Sequence, residues 1–330
     1  MKALRFNQTG DFNFLQYVDF PMPILGVDEV LIEVKAARLN RNDLSNVMGR
    51  LPYTTLPRTP GRDYAGIIVD GPLELIGHDV WGTGKENGFV RDGSHAQFIK
   101  VHQNDIAIKP KTLSYIQAAN CGTPYITAWF GMQSCQVQKS TKIAIIGAAG
   151  AVGSAAIELA RKKQAHIFGI VRSSEQVRIL EQKGIAAAAL AESAETEAQL
   201  KALIQEHFTG GADVIYDATG KYLAAAIPAL APFGKVAVIV APGNGAVTIS
   251  ARDLYRNGAM IVGVNSLLYS AQECAVILNQ LAYDFDHGLM QGYENIQTHA
   301  LSEAVQTYQD LNNGMSGMHV FIPEGVDCKR

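Results

Sequence analysis

Residues Lys142 to Ala160, KIAIIGAAGAVGSAAIELA, decide the fold of this chain. The apolar run from Ile143 to Ile146 is typical of a buried strand, and it leads directly into a glycine-rich turn. Apolar residues at helical spacing follow the turn. In such a unit the glycines allow a tight turn, and the helix amino terminus offers N–H groups and partial positive charge to a phosphate. The stretch therefore predicts a dinucleotide-binding βα unit.

The fingerprint positions of this turn fall on Ala148, Gly150 and Gly153, so alanine replaces the first glycine. A glycine pattern alone is weak, but the flanking strand and helix, and the further strand HIFGIVR, strengthen it. The alternative is a structural turn in an unrelated α/β protein. We expect the cofactor to contact a continuous run of turn residues: Gly147, Ala148, Ala149, Gly150, Ala151 and Val152.

The end of the second strand indicates which dinucleotide binds. An acidic residue there would accept hydrogen bonds from the ribose hydroxyls of NAD. The chain instead has Arg172, Ser173 and Ser174. A guanidinium and two hydroxyls suit the extra phosphate of NADPH, which carries close to two negative charges. We therefore predict NADPH as cofactor, and the alternative is a solvated surface arginine at a helix start.

The rest of the chain shows two kinds of organisation. The first 120 residues contain short apolar segments separated by Gly, Pro and Asp, which predicts a β-rich domain. From about Leu113, helical and strand patterns alternate, which predicts a doubly wound parallel sheet and two domains with a cleft between them. The segments that carry this alternation include the helix-like IQAANCGTPYITAWFGMQ, the strands ADVIYDATG, KVAVIVAPG and AMIVGVNSL, two helical stretches after Ser266, and a final strand MHVFIPEG.

Composition narrows the classes of function. The chain has 330 residues, 48% of them hydrophobic, and a net charge of −3, so neither nucleic acid nor an anionic membrane is an expected partner. No signal peptide and no stretch long enough for a membrane span is evident. The four cysteines, Cys121, Cys135, Cys274 and Cys328, form no CxxC pair. We expect a reduced, cytoplasmic protein.

Several short motifs occur in an order and spacing that resemble the medium-chain dehydrogenase/reductase superfamily over nearly the whole chain. This resemblance implies a GroES-like catalytic domain in residues 1–122, completed by a return segment in 266–330. It also implies a Rossmann NADPH-binding domain inserted between them in residues 123–265. The motifs are Leu39 to Asp43, Thr59 to Gly66, Gly77 to Val80, Asp92 to Gln97, Ile126 to Trp129, and the glycine-rich turn.

At the positions where this resemblance places the zinc ligands of the metal-bearing relatives, this chain has other residues. Asn40 or Arg41 stands in place of the first cysteine, and Gly61-Arg62-Asp63 replaces G-H-E. The four-cysteine lobe is also missing, so no metal is expected. The chain thus resembles the zinc-free, quinone oxidoreductase-like (zeta-crystallin-like) branch.

The resemblance also suggests catalytic residues. It puts Asn40 and Asp43 beside the nicotinamide, although both residue types also cap loops and short helices. Tyr53 and Tyr64 fall in segments expected to face the cleft, where a phenol can stack on a quinone or donate a hydrogen bond. Core packing is the alternative for each tyrosine.

Further cofactor contacts are expected at the carboxyl ends of the parallel strands, where doubly wound sheets bind ligands. Thr127 resembles the residue that approaches the nicotinamide amide. Val240 and Ala241 follow one strand, and Asn265 and Ser266 follow another.

The resulting hypothesis is an NADPH-dependent oxidoreductase that transfers hydride to a quinone or an activated alkene, such as an enone or 2-alkenoyl compound, without zinc. The alternative is an NADPH-binding member of the family with little or no turnover, in a binding or structural role. The partner is a small-molecule substrate. The strand AMIVGVNSL is a candidate sheet edge, and we expect a homodimer through it.

Overall fold

The computed structural model describes residues 1–193, 195–243 and 245–325. The chain divides into two compact units, one formed by Met1–Ile126 with Ser266–Arg330 and the other by Thr127–Asn265. The first boundary was predicted after residue 122, whereas the division falls after Ile126, inside a continuous helix, Thr123–Ser134. Because the helix has no break, hydropathy does not mark the boundary. Cys328 lies outside the described residues.

The first unit begins with short strands, as the β-rich sequence predicts. Its amino-terminal elements are β1 (Lys2–Arg5), β2 (Gln16–Asp19), β3 (Glu29–Leu39), α1 (Arg41–Val47), β4 (Tyr64–Asp70), β5 (Asp79–Gly82), β6 (Phe98–His102), β7 (Ala107–Ile108) and α2 (Tyr115–Asn120), followed by α3 (Thr123–Ser134) across the boundary.

The second unit alternates strands and helices. Its elements are β8 (Lys142–Ile146), α4 (Ala151–Lys162), β9 (His166–Val171), α5 (Ser174–Gln182), β10 (Ala186–Ala189), α6 (Thr196–His207), β11 (Ala212–Asp217), α7 (Leu223–Ala226), β12 (Leu230–Val238), α8 (Ala251–Arg256) and β13 (Met260–Gly263). The strand order is β10-β9-β8-β11-β12-β13, and every pairing is parallel. Strand order therefore reverses between β8 and β11, the place where such sheets bind ligands.

The return segment completes the first unit. It contains α9 (Ala271–Asp286), β14 (Ile296–Ala300), α10 (Ala304–Asn312) and β15 (Met318–Ile322). β15 pairs in parallel with β14 and antiparallel with β3, which gives a sheet of order β14-β15-β3-β4-β5-β7 with β6 also paired to β3. The predicted α/β fold with a Rossmann sheet inserted in a β-rich GroES-like domain is thus confirmed.

Separate apolar clusters stabilise the two units. In the second unit, side chains from the sheet pack with those of α6 and α7, and the contributors include Phe168, Leu200, Ile204 and Ile215. The first unit has one cluster around Phe6, Tyr308 and Phe321 and another around Val30, Tyr64 and Ile68. Within the part of the chain that the structure describes, no helix is long and apolar enough to cross a membrane.

The helix-like segment around Cys121 differs from the prediction of a single helix. The structure has two helices there, α2 and α3, with Cys121 as the C-cap of α2 and Gly122 between them. A Cβ on Gly122 would lie 2.8 Å from Cγ of Asp63. Glycine therefore allows a buried carboxylate to reach the backbone at this break.

Candidate functional site

The glycine-rich turn lies at the carboxyl end of β8, the strand at which the order of the sheet reverses. Gly147 has φ 75°, a left-handed conformation that favours glycine. A Cβ on Gly153 would lie 2.2 Å from the carbonyl oxygen of Gly147. Only glycine therefore lets α4 pack so closely on the turn. Ala148 is buried, whereas Ala149 and Gly150 are exposed.

The amino terminus of α4 fits a pyrophosphate. Gly150 is the N-cap, and no side chain caps the helix at this residue. A Cβ on Gly150 would meet only the Gly147 carbonyl oxygen, at 3.2 Å, so glycine keeps the space before the helix open. Ala151 and Val152 begin the helix and are partly exposed. An exposed glycine turn before a 12-residue helix suits close approach of a phosphate.

A buried carboxylate, Asp217, shapes the neighbouring loop after β11. It is 1% exposed and accepts hydrogen bonds from the backbone N–H groups of Thr219 at 2.8 Å, Gly220 at 3.1 Å and Tyr222 at 2.9 Å. The Thr219 methyl would be 2.8 Å from a Cβ on Gly147. The two loops therefore pack against each other. This role was not predicted from the sequence, although ADVIYDATG has an Asp that ends an apolar strand just before T-G.

The turn between β9 and α5 presents the predicted phosphate-binding side chains. Arg172 and Ser174 are exposed, and Ser173 is partly exposed. The Ser173 hydroxyl caps α5 by accepting from the N–H of Gln176 at 3.4 Å. Among the described residues, no carboxylate lies within ion-pair distance of Arg172. Its charge is therefore available at the carboxyl end of β9.

Other predicted cofactor residues follow strand ends in the same unit. Val240 and Ala241 come after β12 and are exposed, and the Val240 carbonyl oxygen would lie 2.6 Å from a Cβ on Gly220. The loops after β8, β11 and β12 thus form one continuous surface. Asn265 follows β13 and is exposed. Thr127 is 7% exposed, and its carbonyl oxygen accepts from the Tyr216 hydroxyl at 3.2 Å.

In the first unit, a buried polar cluster forms where β3 ends. The Asn40 amide donates from Nδ2 to Oδ2 of Asp63 at 3.0 Å and accepts at Oδ1 from Nε of Arg38 at 2.8 Å. Asp63 also accepts from the backbone N–H of Thr123 at 2.9 Å and from its hydroxyl at 2.7 Å. Asn40 is 7% exposed and Asp63 is fully buried. These contacts fix the orientation of the Asn40 amide.

Asp43 is a buried carboxyl group in the first turn of α1. Its Oδ2 accepts from the backbone N–H of Asn40 at 2.8 Å, whereas its Oδ1 has no hydrogen-bond partner among the described residues. Burial is the main cause that raises its pKa to about 7; the hydrogen bond from the Asn40 N–H opposes this rise, and the nearby Asp63 carboxylate adds to it. Asp43 is thus a carboxyl group that can hold a proton near neutral pH.

Arg62 is fully buried beside this cluster. Its Nε donates to the Gly84 carbonyl oxygen at 2.9 Å, and Nη1 donates to Oγ of Ser266 at 3.4 Å. Ser266 was predicted to bind cofactor, but it belongs to the first unit, is 5% exposed and directs its hydroxyl to Arg62. From the sequence, Arg62 was identified only as the residue in place of the histidine of G-H-E.

His95 and Tyr308 form a second buried pair that the sequence analysis did not assign. The Tyr308 hydroxyl lies 2.8 Å from Nδ1 of His95, and Nε2 of His95 lies 3.0 Å from the Arg38 carbonyl oxygen. Burial lowers the pKa of His95 to about 4, so the imidazole is neutral at pH 7. This pair connects α10 to β3.

The two predicted tyrosines have different surroundings. Tyr53 lies between α1 and β4 and is 43% exposed. Tyr64 is 1% exposed and packs in the apolar cluster with Val30 and Ile68, so the structure does not place it at an accessible surface. Its ring packs in this core cluster, and the expected contact of Tyr64 with substrate stays a prediction.

The residues at the expected zinc positions do not fit zinc. Asn40 offers an amide that is already hydrogen-bonded, and Arg62 brings a positive charge. Zinc sites use thiolate, imidazole or carboxylate ligands. Within the described ranges, no group of three or more His, Cys, Asp or Glu side chains is placed to hold a metal ion.

Comparison with known families agrees with this architecture. The alcohol dehydrogenase GroES-like domain family matches residues 26–111, and the zinc-binding dehydrogenase family matches residues 151–281. A GroES-like unit with an inserted Rossmann sheet and a glycine-rich turn defines a nicotinamide-dependent oxidoreductase.

The chain belongs to the medium-chain dehydrogenase/reductase superfamily and is quinone oxidoreductase-like. It is 30% identical over 310 residues to a zinc-type alcohol dehydrogenase-like protein of Schizosaccharomyces pombe, covering 92% of this chain and 90% of that protein. It is 25% identical over 323 residues to the quinone oxidoreductase of Mus musculus, covering 95% of each. A mycobacterial protein solved in complex with NADPH shares the fold, with TM-score 0.83, 20% identity, and coverage of 98% of this chain and 100% of that one.

Proposed function

We propose that this protein is an NADPH-dependent reductase that transfers hydride to a quinone or to an alkene conjugated with a carbonyl, without zinc. The observation that carries the cofactor choice is Arg172, an exposed guanidinium at the end of β9 with no carboxylate of the described residues within ion-pair distance. Ser173 and Ser174 add hydroxyl donors beside it. This set suits a phosphate on the ribose.

The remaining cofactor contacts are proposed along the strand ends. Residues 147–152 would hold the pyrophosphate at the amino terminus of α4. Thr127, Val240, Ala241 and Asn265 would contact the rest of the dinucleotide, and Ser266 would do so only if its bond to Arg62 opens. The bound cofactor would supply the hydride from its nicotinamide ring.

In the catalytic unit, we assign positioning to Asn40 and proton binding to Asp43. The Asn40 amide is fixed by Arg38 and Asp63, so it can orient a neighbouring ring without reorganising. Asp43 can carry a proton near pH 7. Tyr53 keeps an accessible phenol that can stack on a planar substrate.

The decisive experiment is a titration of the protein with NADPH and NADH, repeated on Arg172→Asp. Loss of a charged contact to phosphate is worth roughly 1.5–3 kcal/mol, or about a 10- to 150-fold weaker Kd for NADPH. Affinity for NADH should not fall, because an acidic residue at this position accepts hydrogen bonds from the ribose hydroxyls of NAD. The matched control is Arg178→Asp, an exposed arginine within α5 that should leave both affinities unchanged. A wild type that prefers NADH would overturn the cofactor assignment.

Turnover is tested separately. NADPH oxidation with a panel of quinones and enones supports the enzyme proposed here, whereas tight NADPH binding without turnover supports a binding role.

A homodimer in the cytoplasm is also proposed. Among the described strands, β13 pairs only with β12, and Met260 and Ile261 on it are 46% and 40% exposed. An unpaired apolar edge suits pairing with a second copy. Cys121, Cys135 and Cys274 are buried and form no disulfide among the described residues, which suits a reducing compartment.

A further inference from the structure

Arg62 is a buried cation with an unused donor. The side chain is 0% exposed, and its Nη2 has no hydrogen-bond partner among the described residues. The two contacts that the guanidinium makes are both to neutral oxygens, those of Gly84 and Ser266. No carboxylate of the described residues lies within ion-pair distance of it. Its positive charge therefore has no ion-pair contact among the described residues.

The adjacent carboxylate, Asp63, forms no ion pair with Arg62. Both oxygens of Asp63 are occupied by Asn40 and Thr123. Burying a guanidinium without a paired anion is costly, and a native structure that retains such an unsatisfied group calls for an explanation in terms of a ligand or a function. A guanidinium has five donors in a rigid plane and no acceptor, so an oxygen that carries negative charge would satisfy Nη2 and balance the charge.

The guanidinium is held in one orientation. A Cβ on Gly84 would lie 2.5 Å from Cβ of Ala271, so the loop whose carbonyl binds Nε packs directly on the start of α9. The Ala271 backbone N–H in turn donates to the Glu86 carboxylate at 2.8 Å, which ties the same loop to the helix. Nη2 is thus a preorganised donor, the arrangement that stabilises charge developing in a reaction.

We propose that Arg62 binds the carbonyl oxygen of the substrate, and that the substrate is therefore an alkene conjugated to a carbonyl or a quinone ring bonded through one carbonyl. This inference rests on the proposed function. Hydride adds to the β-carbon, the C=C π bond breaks, and its electron pair moves through the conjugated system onto the oxygen. The resulting enolate oxygen accepts from Nη2. A proton from water then adds to the α-carbon, so the substrate gains two electrons and two hydrogens while the cofactor is oxidised.

Binding without turnover gives the first test. Benzoate is the probe for an oxyanion, benzyl alcohol is its neutral counterpart, and both are titrated calorimetrically into the protein. Benzoate should bind the wild type, and Arg62→Met should abolish that binding. Arg62→Lys keeps the charge but loses the planar fork, and it should bind about tenfold more weakly. The matched control, Arg58→Met, removes an arginine of the same unit that is paired with Asp92, and it should bind benzoate normally. Equal binding by wild type and Arg62→Met would overturn the proposal.

Kinetics and stability give the second test. Arg62→Met should lower kcat for an enone by about 100- to 1000-fold with little change in KM, because the contact strengthens as charge develops. The unliganded variant should melt no lower than wild type, since an unpaired charge has been removed. A purely structural arginine would instead give a lower melting temperature with normal kcat in the folded fraction. If Arg62→Met fails to fold, Arg62→Lys decides: normal kcat and normal benzoate binding would overturn the inference.

The two proposals fail differently. If substitution of Arg62 does not change the turnover of enones, the reductase proposal stands and the Arg62 site is ruled out. If benzoate binding depends on Arg62 but the protein has no reductase activity, Arg62 forms an anion site and the reductase proposal is ruled out.

Discussion

Alanine substitutions at Gly150 and Gly153 should have different effects: the first should mainly weaken NADPH binding, and the second should mainly lower the stability. At Gly150 the added Cβ would meet only the Gly147 carbonyl oxygen, at 3.2 Å, and it would project into the space before α4. Alanine is also a poorer N-cap than glycine, so the expected cost to folding is about 0.5–1 kcal/mol. If a phosphate approaches there, loss of one charged hydrogen bond costs about 1.5–3 kcal/mol, which is a 10- to 150-fold weaker Kd for NADPH.

At Gly153 the added Cβ would lie 2.2 Å from the Gly147 carbonyl oxygen and 2.8 Å from Cα of Ala148. Both contacts are to backbone, so α4 must move away from the turn. The free energy of unfolding should fall by about 1–3 kcal/mol or more. Urea unfolding followed by circular dichroism measures stability, and quenching of tryptophan fluorescence measures NADPH binding.

The pair separates the two roles. Gly150→Ala should be nearly as stable as wild type and weak in binding, and Gly153→Ala should lose stability first. Wild-type affinity in Gly150→Ala would show that no phosphate approaches this turn. A Gly153→Ala variant as stable as Gly150→Ala would refute the packing argument.

Three further predictions follow from buried groups and from the sheet edge. Because the pKa of Asp43 is raised to about 7, its contribution to stability is fully present below pH 4 and is lost as the pH rises to 7. The free energy of unfolding should therefore fall by about 1.4 kcal/mol per pH unit across that range. Asp43→Asn should remove this fall, as measured by denaturation at each pH. Tyr308→Phe leaves Nδ1 of His95 without its partner, and calorimetry should show a destabilisation of about 1–3 kcal/mol. Unchanged stability would show that this hydrogen bond does not stabilise the fold. Ile261→Lys should convert the proposed dimer to monomer in sedimentation, and an unaltered sedimentation coefficient would move the interface elsewhere.

The parallel sheet was the part of the fold that local patterns predicted best. The apolar strand before Gly147 and the helical spacing after it are short-range features, and the structure has β8 and α4 there. Strand β12 was predicted from Lys235, but it begins at Leu230. Pro232 and Gly234 resemble a loop, yet the pairing with β11 continues past them through a register shift.

The buried polar cluster was beyond local patterns, because its members are distant in sequence. Asp63 meets Thr123 across 60 positions, and His95 meets Tyr308 across 213. The residues next to Asp63 or His95 in the sequence do not indicate which distant residue each of them contacts. Tyr64 illustrates the same limit: its segment was expected to face the cleft, with core packing as the alternative, and the burial of its ring depends on the pairing of β4 with β3.

The position of β15 has a consequence for biosynthesis. This last strand pairs with β3, so the sheet of the first unit cannot close until residue 322 has emerged from the ribosome. Residues 127–265 are contiguous and include every strand of their own sheet. The inserted unit can therefore fold before β15 has been synthesised, whereas the residues that precede it in the sequence cannot complete their sheet until then.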